Sequence, residues 1–159
     1  MVILIESISL ATYQTAVLEE TNQKNRKEQR EVILTHEEQE TLDLINKYRF
    51  QNGLNDLKPF SDLQEVAKLK AKDLVENDYF SHTSDHLGNP FEMLKNNGID
   101  YSLAGENLAG NINSQKAVEA WINSPSHREN ILESKFEYTG ICVVESPIYG
   151  KVFVQLFME

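Results

Sequence analysis

The stretch AVEAWINSPSHRENIL, residues 117–132, is the most informative part of this 159-residue chain. Val118, Trp121 and Ile122 fall on one helical face, which predicts an amphipathic helix from about Ser114 to Asn123. Ser124-Pro125 then breaks it. The residue before a proline is pushed out of the helical region, and proline is favoured at a first helical position. A second helix is therefore predicted from Pro125 to about Glu133, with His127 in its first turn. The positive end of the helix dipole disfavours imidazolium there and keeps His127 neutral, the form that binds metal. Packing on a neighbour is the alternative role. Ser124 is expected to cap the helix through its hydroxyl, accepting from the amide of His127. Ser126 and Glu129 form an alternative capping box two residues later.

Working outward, the C-terminal part changes period. Thr139–Glu145 is rich in β-formers, and Lys151–Met158 is apolar at nearly every position, as a strand buried on both faces should be. Pro147 to Gly150 supplies a hairpin turn. GENLAG, residues 105–110, reads as a short strand. Upstream, Thr35 and Glu38 make a capping box for a helix carrying Leu42, Leu44, Ile45, Tyr48 and Arg49 and ending near Gly53. Ser61 and Gln64 form a second box, followed by the stripe Leu63, Val66, Ala67, Ala71 and Leu74 to about Asn77. A short helix over Phe91–Asn96 stops at Asn97-Gly98. Residues 1–34 read differently: VILIESISLATY at 2–13 alternates like one or two strands, and TNQKNRKEQRE at 21–31 reads as a linker or solvated helix. The boundary is placed near Thr35, so that 1–34 is an extension or the remnant of a preceding domain and 35–159 is the domain proper.

Composition narrows the function classes. Hydrophobic residues make up 40% and charged residues 25%, as in a globular protein. A formal net charge of −10 argues against nucleic acid and against docking on anionic membranes, both of which need clustered lysine and arginine. The single cysteine, Cys142, excludes an internal disulfide and lies in a predicted buried strand, where a thiol is inert. The apolar run VILI at residues 2–5 is too short to span a bilayer and lacks the layout of a signal peptide. Either the protein is cytoplasmic or its export signal lies upstream of this chain.

Few residues can carry chemistry. Of the four histidines, His36 sits at a helix start among glutamates and reads as surface. His82 and His86 are four apart, but the serines, threonine, aspartate and glycine around them predict a loop, where that spacing loses its metal-binding meaning. Loops on a rigid scaffold nonetheless present function, which keeps His82 in view. Glu106, among glycine and apolar residues, is either bonded to backbone amides or functional, because an unpaired buried carboxylate is costly. Trp121 reads as core. No nucleophile elbow, phosphate-binding loop or dinucleotide fingerprint occurs.

Taken in order, NKYRFQNGLNDL (46–57), AKDLVENDYFSHTS (71–84), GENLA (105–109), AVEAWINSPSHRENIL (117–132), TGICV (139–143) and VFVQLF (152–157) resemble one family. It is the CAP superfamily, or SCP domains: cysteine-rich secretory proteins, antigen-five allergens and plant pathogenesis-related proteins. The resemblance runs from about Thr35 to Glu159, and WINSPSHRENIL is similar to the bacterial branch, whose members are generally exported and disulfide-free. It implies an α+β fold, a three-layer α/β/α sandwich with a small antiparallel sheet between helices. It also implies a cleft lined by two histidines and two glutamates. By motif these are His82, Glu106 and His127; the second glutamate falls at Ser124, so the tetrad is incomplete. His82, Glu106 and His127 are thus the catalytic candidates, His82 and His127 the candidate metal ligands, and Ser124 a fourth cleft residue.

Two imidazoles and a carboxylate with an open position suit Zn²⁺ or another divalent metal, and a bound water could then be polarised for hydrolysis. The resemblance favours an extracellular or cell-surface, non-catalytic binding module, with a small ligand or cell-envelope component as partner. The alternatives are a metal-dependent hydrolase acting on peptides or cell wall, and, by family analogy, a lipid or sterol carrier.

Overall fold

The structure, a computed structural model, describes residues 32–159 together with Gln14, Thr15 and Val17. The chain divides into two compact units, Met1–Glu31 and Val32–Glu159. In the first, Gln14, Thr15 and Val17 are helical and exposed. The strands predicted over 2–13 and the polar run at 21–31 lie outside the described residues.

In the second unit, helix α1 (His36–Gln51) starts where the sequence places it. The Thr35 hydroxyl accepts from the Glu38 amide, and the Glu38 carboxylate accepts from the Thr35 amide at 2.8 Å. Gly53, at φ +74°, supplies the left-handed turn that ends the helix. Helix α2 (Ser61–Glu76) departs from expectation. Phe60 occupies the N-cap position and no side chain caps it. Gln64 leaves the box to bond both backbone groups of Ile141, at 2.5 and 2.9 Å. A buried amide gains two partners on the sheet there, whereas a cap would have used one.

The remaining elements are α3 (Pro90–Asn96), β2 (Ala104–Asn111), α4 (Ser114–Asn123), α5 (Pro125–Leu132), β3 (Tyr138–Ser146) and β4 (Gly150–Met158), with a two-residue strand β1 at Lys58–Pro59. The sheet order is β1-β3-β4-β2. β4 pairs antiparallel with both β3 and β2. β1 joins β3 in parallel, held by the amides of Lys58 and Phe60 donating to Glu137 and Thr139 at 2.9 Å. A two-residue strand has no period to read, so the sequence offered no sign of it.

The alternation of β4 explains its unbroken apolar run. Val152, Val154, Leu156 and Met158 pack with α2 and α3, whereas Phe153 and Phe157 pack with α1, α4 and α5. Helices thus cover both faces, giving the α/β/α sandwich. Trp121 is core, 1% exposed, with its indole N–H donating to the Leu108 carbonyl at 2.9 Å. Burying such a ring stabilises by roughly 1.5–3 kcal/mol or more. That bond, with one from Asn130 to the Glu106 carbonyl, covers the outer edge of β2, a strand edge that would otherwise be open to pairing. Cys142 is buried in β3, and burial pushes its thiol up to about 12, so it is inert as expected. Among the described residues, no helix is long and apolar enough to cross a membrane.

Candidate functional site

His82, Glu106 and His127 come from three separate elements and meet beside β2. Glu106 sits in the strand with its side chain 2% exposed. One carboxylate oxygen meets His82 Nδ1 at 2.7 Å; the other is buried and has no partner. The alternative of a carboxylate locked onto backbone amides is therefore not what the fold adopts. His82 is half exposed, and its ring centroid lies 6.5 Å from that of His127. His127 Nδ1 is also buried without a partner. Burial, followed by the neighbouring His82, holds the His127 imidazole below its ordinary pKa. His36 and His86 lie outside this cluster, each exposed.

A buried web fixes the loop that carries His82. Lys70, fully buried on α2, donates to the His82 carbonyl at 3.1 Å and the Tyr79 hydroxyl at 3.0 Å. Asp73, one turn on, accepts from Ser84 at 2.6 Å, from Asn77 at 2.8 Å and from the Tyr79 hydroxyl. Ser84 in turn accepts from the amides of His86 and Leu87, both at 3.0 Å. Sequence reasoning missed these residues, although a signal existed. Lys70 falls on the apolar stripe between Ala67 and Leu74, where a charge must be paired.

Two asparagines dock the helix that carries His127. Asn107 donates to the His127 carbonyl at 3.1 Å. Asn130 donates to Asn107 Oδ1 at 2.9 Å. Gly105 permits the approach, since a Cβ there would stand 3.1 Å from Asn130 Oδ1.

Ser124 does not do what the sequence suggested. Its hydroxyl makes no cap bond. Thr35, Asn89 and Asn113, which do cap through their side chains, have ψ of 167°, 168° and 170°, while Ser124 has ψ 121°. The cause is its double duty. Ser124 also ends α4, its amide bonded to the carbonyls of Ala120 and Trp121, so its backbone serves two helices at once. The helix begins at Pro125, so the Ser126 start is not used either. Ser124→Ala is accordingly expected to change stability by less than about 0.5 kcal/mol, as at an ordinary surface site.

A cavity of about 560 Å³ lies elsewhere, between Phe50, Leu54, Lys58 and Phe136. None of its lining residues has a buried unpaired polar atom, whereas the histidine–glutamate cluster has two. Such atoms cost roughly 1–3 kcal/mol each when unsatisfied, so the cluster is the stronger candidate for a ligand.

The arrangement is that of a known family. The model of the cysteine-rich secretory protein family, CAP, matches residues 42–157. This chain belongs to the CAP family. It is 38% identical over 122 residues to the protein YkwD of Bacillus subtilis strain 168, covering 76% of this chain and 46% of that protein. It is 38% identical over 124 residues to the membrane protein YlbC of the same organism, covering 77% of this chain and 36% of that one. The chain thus spans less than half the length of either. An outer surface protein of Borrelia burgdorferi superposes with a TM-score of 0.72 at 30% identity, over 80% of this chain and 96% of that one. An extracellular SCP-domain protein of Bacillus anthracis strain Ames gives 0.70 at 30% identity, over 81% and 45%. These similar proteins of the CAP chain are bacterial, and two of them are described as extracellular or outer-surface.

The CAP chain's acid response follows from the site. The His127 pKa is lower folded than unfolded, so the unfolded chain takes the proton first as pH falls below about 6.5. Stability present above that value is lost as pH drops through the folded pKa. For Asp73, burial raises the pKa but the bonds from Ser84 and Tyr79 outweigh it and hold the carboxyl below its ordinary range. Its contribution is lost at lower pH still. The melting temperature should fall as pH drops below about 6.5, the ordinary histidine value, and His127→Gln should flatten that slope. An unchanged slope in the variant would place the acid sensitivity elsewhere.

Proposed function

We propose that the protein is an extracellular or cell-surface binding module that holds a component of the cell envelope at the His82–Glu106–His127 cleft and performs no chemistry on it. The supporting observation is the pair of buried, unpartnered polar atoms, Glu106 Oε2 and His127 Nδ1. Buried polar groups normally find a partner, and a pair left open at one place suits a bound ligand. A hydrolytic reading lacks parts. The cysteine is inert, and no second carboxylate stands at Ser124 to serve as a base. The location follows the description of the similar proteins as extracellular or outer-surface.

The test uses purified peptidoglycan and a mixed peptide pool with the whole chain. Sedimentation with peptidoglycan is expected, falling at least tenfold in a Glu106→Gln, His127→Ala double variant, with no product released from either substrate. Turnover that disappears in His127→Ala would overturn the reading in favour of an enzyme. Failure to sediment, with the variant indistinguishable from wild type, would overturn the assignment of the ligand to the envelope.

A further inference from the structure

The cleft has the residue types of a metal site but not the geometry. Among the described residues, no three histidine, cysteine, aspartate or glutamate side chains are grouped so that they could hold an ion. What the cleft turns outward is a ring nitrogen. Glu106 Oε1 meets His82 Nδ1 at 2.7 Å, and an ionised carboxylate can only accept, so Nδ1 donates. In the neutral ring Nε2 is then left as an acceptor, on a side chain 53% exposed.

An aromatic pair stands beside it. Tyr149, in the β3–β4 turn, lies over Gly110, where a Cβ would stand 2.9 Å from the tyrosine Cγ. Glu106 and Gly110 are four residues apart on β2, so they share one face of the strand and lie about 13 Å apart along it. Phe80, two residues before His82, meets Tyr149 with ring centroids 5.0 Å apart and planes tilted by 53°. The segment from Phe80 to His82 is thus tied to β2 at both ends, by the ring pair over Gly110 and by the imidazole on Glu106. Phe80 is 40% exposed and Tyr149 38%. Large rings left in water beside a polar cleft mark a binding surface.

We infer that Phe80 and Tyr149 form a stacking platform for the pyranose rings of a glycan, with His82 Nε2 accepting from one of its hydroxyl groups. This rests on the reading of the cleft as a cell-envelope binding site, and it names the part of the envelope that is held. A pyranose ring has an apolar C–H face, which packs on the electron-rich face of an aromatic ring. It also has a rim of hydroxyl donors, which need acceptors such as Nε2. Nucleobases stack on such rings too, but they bring phosphates to a chain of net charge −10. An anionic bilayer meets the same repulsion.

Calorimetry on the full chain tests it with chitotetraose, a soluble neutral oligosaccharide of N-acetylated pyranose rings. Saturable binding at millimolar or lower concentration is expected. The double variant Phe80→Ser, Tyr149→Ser should weaken it by about tenfold or more, the scale of losing a stacked ring. Phe80→Tyr with Tyr149→Phe keeps both rings and should stay within about twofold of wild type. Both positions are exposed, so the melting temperature should barely move in either variant. Ile112→Ser and Ile148→Ser remove exposed aliphatic side chains from the neighbouring turns and should leave glycan binding unchanged. Absence of chitotetraose binding, or equal binding by the serine double variant, would overturn the proposal. If peptidoglycan still sediments the chain through His127, the cleft reading stands and only the glycan assignment falls; if peptidoglycan fails as well, both fall. Sedimentation with phosphatidylglycerol vesicles that is lost in Ile148→Ser would also overturn it, by making this surface a membrane contact.

Discussion

Replacing Arg49 by leucine should cost the fold about 3–5 kcal/mol, at the upper end of what single substitutions do. Arg49 lies on α1, 1% exposed, and donates to four backbone carbonyls. These are Asn55 at 2.9 Å, Ile131 at 2.7 Å, Glu133 at 2.9 Å and Phe136 at 3.1 Å. Three of them belong to the end of α5 and the chain leading into β3, which has little regular hydrogen bonding of its own. A leucine of similar bulk would fill the space and leave those carbonyls dry and unpaired, each at a penalty of roughly 1–3 kcal/mol before relaxation. With total stability of about 5–15 kcal/mol for a domain of this kind, the urea midpoint should drop by about a fifth or more. Arg49→Lys keeps the charge but replaces a planar fork by one nitrogen, and should recover only part of the loss. The damage should also reach the cleft, because α5 carries His127 and is anchored through these carbonyls. A variant with wild-type midpoint would mean that water satisfies the groups, and the account of Arg49 as the clamp between α1 and α5 would fail.

Gly140→Ala is the second large effect, and it acts through space. A Cβ at residue 140 would stand 2.6 Å from the Gln64 amide nitrogen and closer still to the carbonyl group of Leu63. These are backbone atoms of α2, so no side chain can swing aside. Either α2 lifts from β3 or β3 bows, and the paired bonds between Gln64 and Ile141 stretch in both cases. Overpacking costs typically about 1–3 kcal/mol and occasionally more; here about 3 kcal/mol is expected. Since α2 also carries Lys70 and Asp73, the loop bearing His82 should loosen with it. Gly110→Ala is the control. Its Cβ would come nearest to Cγ, Cβ and Cδ1 of Tyr149, at 2.9–3.0 Å, a residue partly exposed at the hairpin turn. The exposed hairpin turn that carries Tyr149 can shift where a helix packed on the sheet cannot, and the cost should be clearly smaller than at Gly140. Equal midpoints for the two variants would show that the helix–strand approach at Gly140 is not tight.

These two glycines look alike as sequence; only the surface packed against each separates them. The chain by itself determined the elements and their faces. The Thr35–Glu38 box, the Ser124-Pro125 break, the stripe on α2 and the doubly apolar β4 are local patterns, set by helix and strand periods and by what proline permits. The ordered motifs, through the family resemblance they carry, implied the sandwich and grouped His82, Glu106 and His127. Tertiary structure alone decided how those residues are used. Ser61, Gln64 and Ser124 have the right types for capping, yet Gln64 is taken by a strand 77 positions away and Ser124 is shared with the end of α4. Lys70 has no chemical motif around it. Its place beside the histidine–glutamate pair arises because α2 lies against the sheet and the following loop folds back over it. Local sequence sets which backbone states are cheap, whereas the partner of a buried polar group is set by which distant surface the core brings against it.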